Sequence, residues 1–94
     1  MVTAFVLITA QRDAINETAQ QILDINGVAE VYSTAGEWDL VAVVRVKSND
    51  ALAEVVTNRL LKITTILRSQ TIIAFRAYSS YDLERMFSIG LEDA

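Results

Sequence analysis

Two segments of this 94-residue chain alternate as strands do, yet neither produces a polar side. Residues 2–9, VTAFVLIT, set Val2, Ala4, Val6 and Ile8 against Thr3, Phe5, Leu7 and Thr9. Residues 39–46, DLVAVVRV, set Leu40, Ala42, Val44 and Val46 against Val41, Val43 and Arg45, with Lys47 just beyond. One face of such a sheet can be buried inside its own subunit; a second apolar face needs cover from outside. Packing two subunits sheet against sheet supplies that cover, so a dimer is the expected basal unit. Size argues the same way, since a single domain of this length buries only a little more than about 60% of the surface its unfolded chain exposes. Hydrophobic residues make up 52% of the chain and charged residues 21%, a balance that excludes a disordered segment and exceeds what one small core needs.

The remaining elements follow from spacing. After the first strand, Asp13 is the expected cap of a helix over about 13–25, with Ile15, Ala19, Ile22 and Leu23 on its inner face and Gly27 as its left-handed stop. VAEVYSTA (28–35) and DLVAVVRV (39–46) read as a hairpin joined by GEW. Residues 48–50, SND, offer caps for a second helix over about 49–63, whose stripe is Leu52, Val55, Val56, Leu60 and Ile63. ILRSQTIIAFRAY (66–78) is β-branched and aromatic and reads as a long last strand. YDLERMFSIGL (81–91) carries Leu83, Met86, Phe87 and Gly90 on one face and reads as a short C-terminal helix. The order is β-α-β-β-α-β, the ferredoxin-like α+β sandwich, with two helices on one face of a four-stranded antiparallel sheet. No linker divides the chain, so residues 1–94 read as one domain, a core over 1–78 and an extension over 79–94.

Composition removes whole classes of chemistry. Without cysteine or histidine there are no disulfides and no thiolate, and an ordinary zinc, haem or copper site lacks its usual ligands. No metal site, cofactor or catalytic residue is expected. The net charge of −4 and the scattering of eight basic residues speak against direct nucleic-acid binding. No stretch approaches the roughly 20 apolar residues of a membrane helix, and the expectation is a cytoplasmic protein.

What chemistry remains concentrates in Gly36, Glu37, Trp38 and Asp39. Gly36 can take the positive φ of a tight connection and leave the neighbouring amides pointing outward, an arrangement suited to an anion. Asp39, at the edge of an apolar strand, needs either turn N–H groups or a cation. Both features are satisfied by a group that carries a carboxylate and an ammonium, with Trp38 as an apolar wall; residue types alone favour the plainer alternative, a turn in which Asp39 accepts backbone bonds and Trp38 packs.

At these residues the sequence resembles a known family. VAEVYSTAGEWDLVAVVRV followed by ILRSQTIIAF is similar to the effector-binding (RAM) domain of the Lrp/AsnC transcription regulators, through Val28, Tyr32, Gly36, Trp38, Asp39 and Leu40 and the RSQT stretch, a likeness running from Val2 to about Tyr78. The resemblance implies a dimeric αβ-barrel that assembles into tetramers or octamers, with amino-acid effectors held where dimers meet. It also implies a ligand-binding set of Gly36, Glu37, Trp38, Asp39 and Leu40, joined by Ser69 and Thr71 at the family's threonine pair; serine at 69 keeps the hydroxyl and loses a methyl. Family members begin with a helix-turn-helix domain, whereas this sequence starts at the sheet, so the expectation is a stand-alone module without a DNA-binding domain of its own. Such a module senses an amino acid or co-assembles with full-length Lrp/AsnC-type regulators. The other readings are a purely structural oligomerisation module and a small αβ-barrel enzyme, the latter disfavoured by the lack of histidine.

Overall fold

The structure, a computed structural model, describes residues 1–80. Strand β1 (Val2–Ala10) lies in the middle of the sheet, paired antiparallel with β3 (Leu40–Val46) on one side and β4 (Ile66–Ile73) on the other. Strand β2 (Val28–Ser33) pairs antiparallel with β3, giving the order β2-β3-β1-β4. Helix α1 (Ile15–Leu23) and helix α2 (Asn49–Ala53) connect the strands and pack on the same face, α1 over β2 and β3, α2 over β3 and β1. The ferredoxin-like α+β architecture is as the element order predicts. The expected C-terminal helix over 81–91 lies outside the described residues.

Period-two alternation carries through both central strands. Ala4, Val6 and Ile8 of β1 and Leu40, Ala42 and Val44 of β3 are essentially inaccessible beneath the helices. The opposite faces hold Phe5, Leu7, Val41, Val43, Tyr32 and Ile72, of which Phe5, Tyr32 and Ile72 are exposed in the single subunit. The register that pairs Phe5 with Val43 and Ile72, and Leu7 with Val41, places these side chains together on the open face.

Several elements differ from expectation. Asp13 does not cap α1: the chain leaves β1 through a tight turn at Arg12–Ala14, and Ala14 occupies the cap position without a side-chain bond. That turn forms because the Gln11 N–H is held by the Thr65 carbonyl and the Ala14 N–H closes on the Gln11 carbonyl. The inner face of α1 is Ile15, Thr18, Ala19 and Ile22, while Leu23 is exposed. Thr18 tolerates full burial because its hydroxyl donates to the Ala14 carbonyl at 2.6 Å and meets Thr65 Oγ1 at 2.6 Å.

Ser48 caps α2 as expected, accepting the Ala51 N–H at 3.1 Å. The helix then widens into a π-helical segment over Glu54–Arg59 before closing as a 3-10 turn over Leu60–Lys62. The buried stripe explains the widening, since its step from Val55 to Leu60 is five residues and a wider turn brings Leu60 back over the core. Strand β2 stops at Ser33 and β3 starts at Leu40, so the connection is longer than GEW. Strand β4 ends at Ile73 rather than Tyr78: its ladder with β1 runs to the Ala4–Ile73 pair, and beyond it the Ala74 N–H donates to the Thr3 carbonyl at 2.9 Å.

Two glycines hold positive φ, Gly27 at 106° and Gly36 at 115°. A Cβ at Gly27 would meet Val55 Cγ2 at 2.9 Å and Val46 Cγ1 at 3.1 Å, whereas one at Gly36 would meet nothing within 4 Å. Gly27→Ala is therefore expected to destabilise by about 2–4 kcal/mol, backbone strain plus overpacking, and Gly36→Ala by about 1–2 kcal/mol, strain alone. Urea unfolding midpoints of the two variants check the difference.

Candidate functional site

The β2–β3 connection is built as a closed loop on the end of β1. The Thr34 N–H donates to the Asp39 carbonyl at 2.9 Å and the Thr34 hydroxyl to the Trp38 carbonyl at 2.6 Å, drawing the two ends together. Gly36 makes the reversal between them with its positive φ. The base is tied to the central strand twice: the Asp39 N–H donates to the Ile8 carbonyl at 2.9 Å, and Asp39 Oδ2 accepts the Ala10 N–H at 3.0 Å. This second bond bridges the point where the β1–β4 register shifts between Thr9 and Ala10, so the carboxylate takes up an N–H at a break in the sheet. Among the described residues no hydrogen bond takes up the N–H groups of Gly36, Glu37 or Trp38.

The tip of the loop reaches the edge strand. Arg68 Nη2 donates to Glu37 Oε1 at 3.3 Å, and the Arg68 guanidinium carbon lies 4.5 Å from the centroid of the Trp38 ring. Leu40, next in the chain, turns inward and is buried in the core.

Ser69 and Thr71 lie elsewhere. Their partners across the ladder are Ile8 and Val6, both on the helix-covered face, whereas Arg68 pairs with Thr9 on the opposite one. Strand β4 is the sheet edge beyond the helices, so Thr71 is exposed and Ser69 half-buried on that face. One subunit thus brings Gly36, Glu37, Trp38 and Asp39 together and sets Ser69 and Thr71 on the other side of the sheet. Among the described residues, two concave regions, of about 400 Å³ near Phe5, Arg45 and Phe75 and about 330 Å³ near Gly27, Lys47 and Glu54, are lined without the loop.

Sequence reasoning missed Thr34 and Arg68. A threonine four residues before Trp38 at a strand end is a local turn signal that was available. Arg68 is 31 residues from Glu37 and carries no local signal; only the register of β4 brings it to the loop.

A separate charged group occupies the open face at β2 and β3. The Tyr32 hydroxyl donates to Glu30 Oε2, and Arg45 Nη1 lies 3.5 Å from Glu30 Oε1. The tyrosine bond, then the arginine, hold the Glu30 carboxyl below its ordinary value against opposing desolvation, and the same bond raises the Tyr32 phenol. Among the described residues no group of acidic side chains is arranged to hold a metal ion, and no helix is long and apolar enough to cross a membrane.

The profile of the Lrp/AsnC ligand binding domain matches residues 3–83, and the chain belongs to that family. An uncharacterised helix-turn-helix-type transcriptional regulator of Pyrococcus horikoshii is 37% identical over 76 residues, covering 78% of this chain and 51% of the regulator. A second such regulator, from Pyrococcus furiosus, matches with the same identity and coverage. The chain therefore spans about half the length of the curated relatives it matches. Among solved structures, a Thermus thermophilus protein is 43% identical with a TM-score of 0.79, covering 84% of this chain and 99% of that one. The feast or famine regulatory protein of Mycobacterium tuberculosis, solved in complex with L-methionine, is 28% identical with a TM-score of 0.70, covering 85% of this chain and 54% of that one.

Two predictions follow from the geometry. Asp39→Ala leaves the Ala10 N–H without its acceptor and is expected to cost about 1–3 kcal/mol in urea unfolding, whereas Asp39→Asn keeps an oxygen there and should cost under about 1 kcal/mol. A lowered carboxyl contributes stability that is present above the unfolded-state value and lost as pH falls through the lowered one. Tyr32→Phe should accordingly raise the Glu30 titration midpoint, read by carboxyl-carbon NMR, and flatten the acid limb of stability against pH.

Proposed function

We propose that this chain is a non-enzymatic effector-binding and oligomerisation module in transcription regulation, and that its effector is an amino acid. The observation that carries the reading is the construction of the 34–39 loop: its base is fastened to β1 and its N–H groups at 36–38 are left for an acceptor from outside the chain. Family membership and the relative solved with L-methionine supply the class of ligand. In this reading the effector's carboxylate meets loop amides, its ammonium meets Asp39, and Trp38 walls its apolar side.

Assembly is part of the same proposal. The open face, with Phe5, Tyr32 and Ile72 exposed around Leu7, Val41 and Val43, packs against its copy in a homodimer, and dimers associate further. Because the sheet separates Ser69 and Thr71 from the loop, those hydroxyls contribute to a pocket only when a neighbouring subunit presents them to another subunit's loop. That arrangement makes binding depend on assembly, and lets a ligand bias it.

A second reading, a purely structural oligomerisation module, is favoured by one fact: Asp39 Oδ2 already accepts the Ala10 N–H. The two readings separate in a thermal-shift screen against each proteinogenic amino acid, run with light scattering on the same samples. An effector at 100 times its dissociation constant adds about 2.7 kcal/mol of stability and a visible rise in melting temperature. The expected outcome is a rise with one or a few amino acids, accompanied by a change in particle mass. A dimer that responds to none of them supports the structural module, and a monomer at micromolar concentration overturns the assembly.

A further inference from the structure

We infer that Arg68 is the carboxylate anchor of the candidate site and that Glu37 is a built-in competitor for it; this rests on the amino-acid reading above. The anchor falls to a residue outside the local pattern of the loop, 31 positions along the chain from Glu37. Three observations converge on the arginine. Its guanidinium stacks on Trp38, the same ring that walls the loop, and stacking orients the planar fork without consuming its N–H donors. It stands at the loop whose own N–H groups at 36–38 are untaken, so the side-chain fork and the backbone donors share one rim. And it is held there by a carboxylate already, Glu37 Oε1 at 3.3 Å from Nη2.

That ion pair has the character of a placeholder. It uses a single N–H of the fork, and its side chains are 57% and 70% exposed, so water screens it strongly. A free α-carboxylate can instead take two parallel N–H bonds from the guanidinium and further bonds from the loop amides. Displacing Glu37 exchanges a weak, screened contact for a bidentate one, which makes the site selective for a ligand with a free carboxylate rather than for amines in general. Glu37 then sets a threshold: with no acid present it neutralises the arginine, and it weakens every carboxylate ligand by the same factor.

Isothermal titration of the wild type, Arg68→Gln and Glu37→Gln, with the tightest-binding proteinogenic amino acid and with its α-carboxamide, tests this. The amide keeps the ammonium and side chain and lacks only the anionic group. The wild type should prefer the acid by at least about tenfold, Arg68→Gln should lose most of that preference, and Glu37→Gln should tighten the acid by about two- to fivefold while leaving the amide unchanged. An arginine that only props Trp38 in place would, when removed, weaken acid and amide alike, so an unchanged preference in Arg68→Gln overturns the anchor. Trp38 is the only tryptophan of the chain and reports the event directly, its emission shifting when the acid binds the wild type and not when the amide does. Should the wild type bind no amino acid, the effector reading falls and the anchor with it; binding with an unaltered preference in the variant removes the anchor alone.

Discussion

The hydrogen-bonded position of β1 is the constraint on which the rest of the structure depends. Its backbone is satisfied on both sides, by β3 and by β4, so its side chains are confined to two directions. Ala4, Val6 and Ile8 then anchor the helix-covered core, and Phe5 and Leu7 are committed to the open face. The C-terminal end of the same strand supplies the groups that hold the candidate loop: the Ile8 carbonyl and the Ala10 N–H both bond to Asp39. The core, the open apolar face and the footing of the loop are therefore consequences of one strand's place in the sheet.

Of the two roles that the sequence leaves open for it, Asp39 shows the turn role in the structure. Its carboxylate closes a break in the ladder, which is the turn role, and in doing so fixes the loop where Trp38 and Glu37 meet Arg68. A site of this kind is preorganised by backbone bonds at its base and left polar at its tip. The separation of Ser69 and Thr71 from that tip has a simple origin, since adjacent residues of a strand point to opposite faces and Arg68 and Ser69 are adjacent.

Much of the fold was legible because it rests on short-range periodicity. The order of strands and helices, the stripe Leu52, Val55, Leu60, the Ser48 cap and the two positive-φ glycines all follow from spacing or residue type. The misses share a cause. Asp13 lost the cap to a turn set by Thr65 from across the fold, and β4 ended where its ladder with β1 reaches the Ala4–Ile73 pair. Each depended on a contact distant in the chain.

The sequence by itself determined an α+β sandwich with a sheet apolar on both faces and a glycine-centred loop at the mouth of its third strand, because alternation, capping and positive φ are properties of neighbouring residues. Only the tertiary structure decided that Arg68 rather than Ser69 or Thr71 shares the loop, and that the Asp39 carboxylate has a backbone partner on β1. Both outcomes are matters of register between strands far apart in the chain, and a shift of one residue in β4 would exchange the arginine for a hydroxyl on that face.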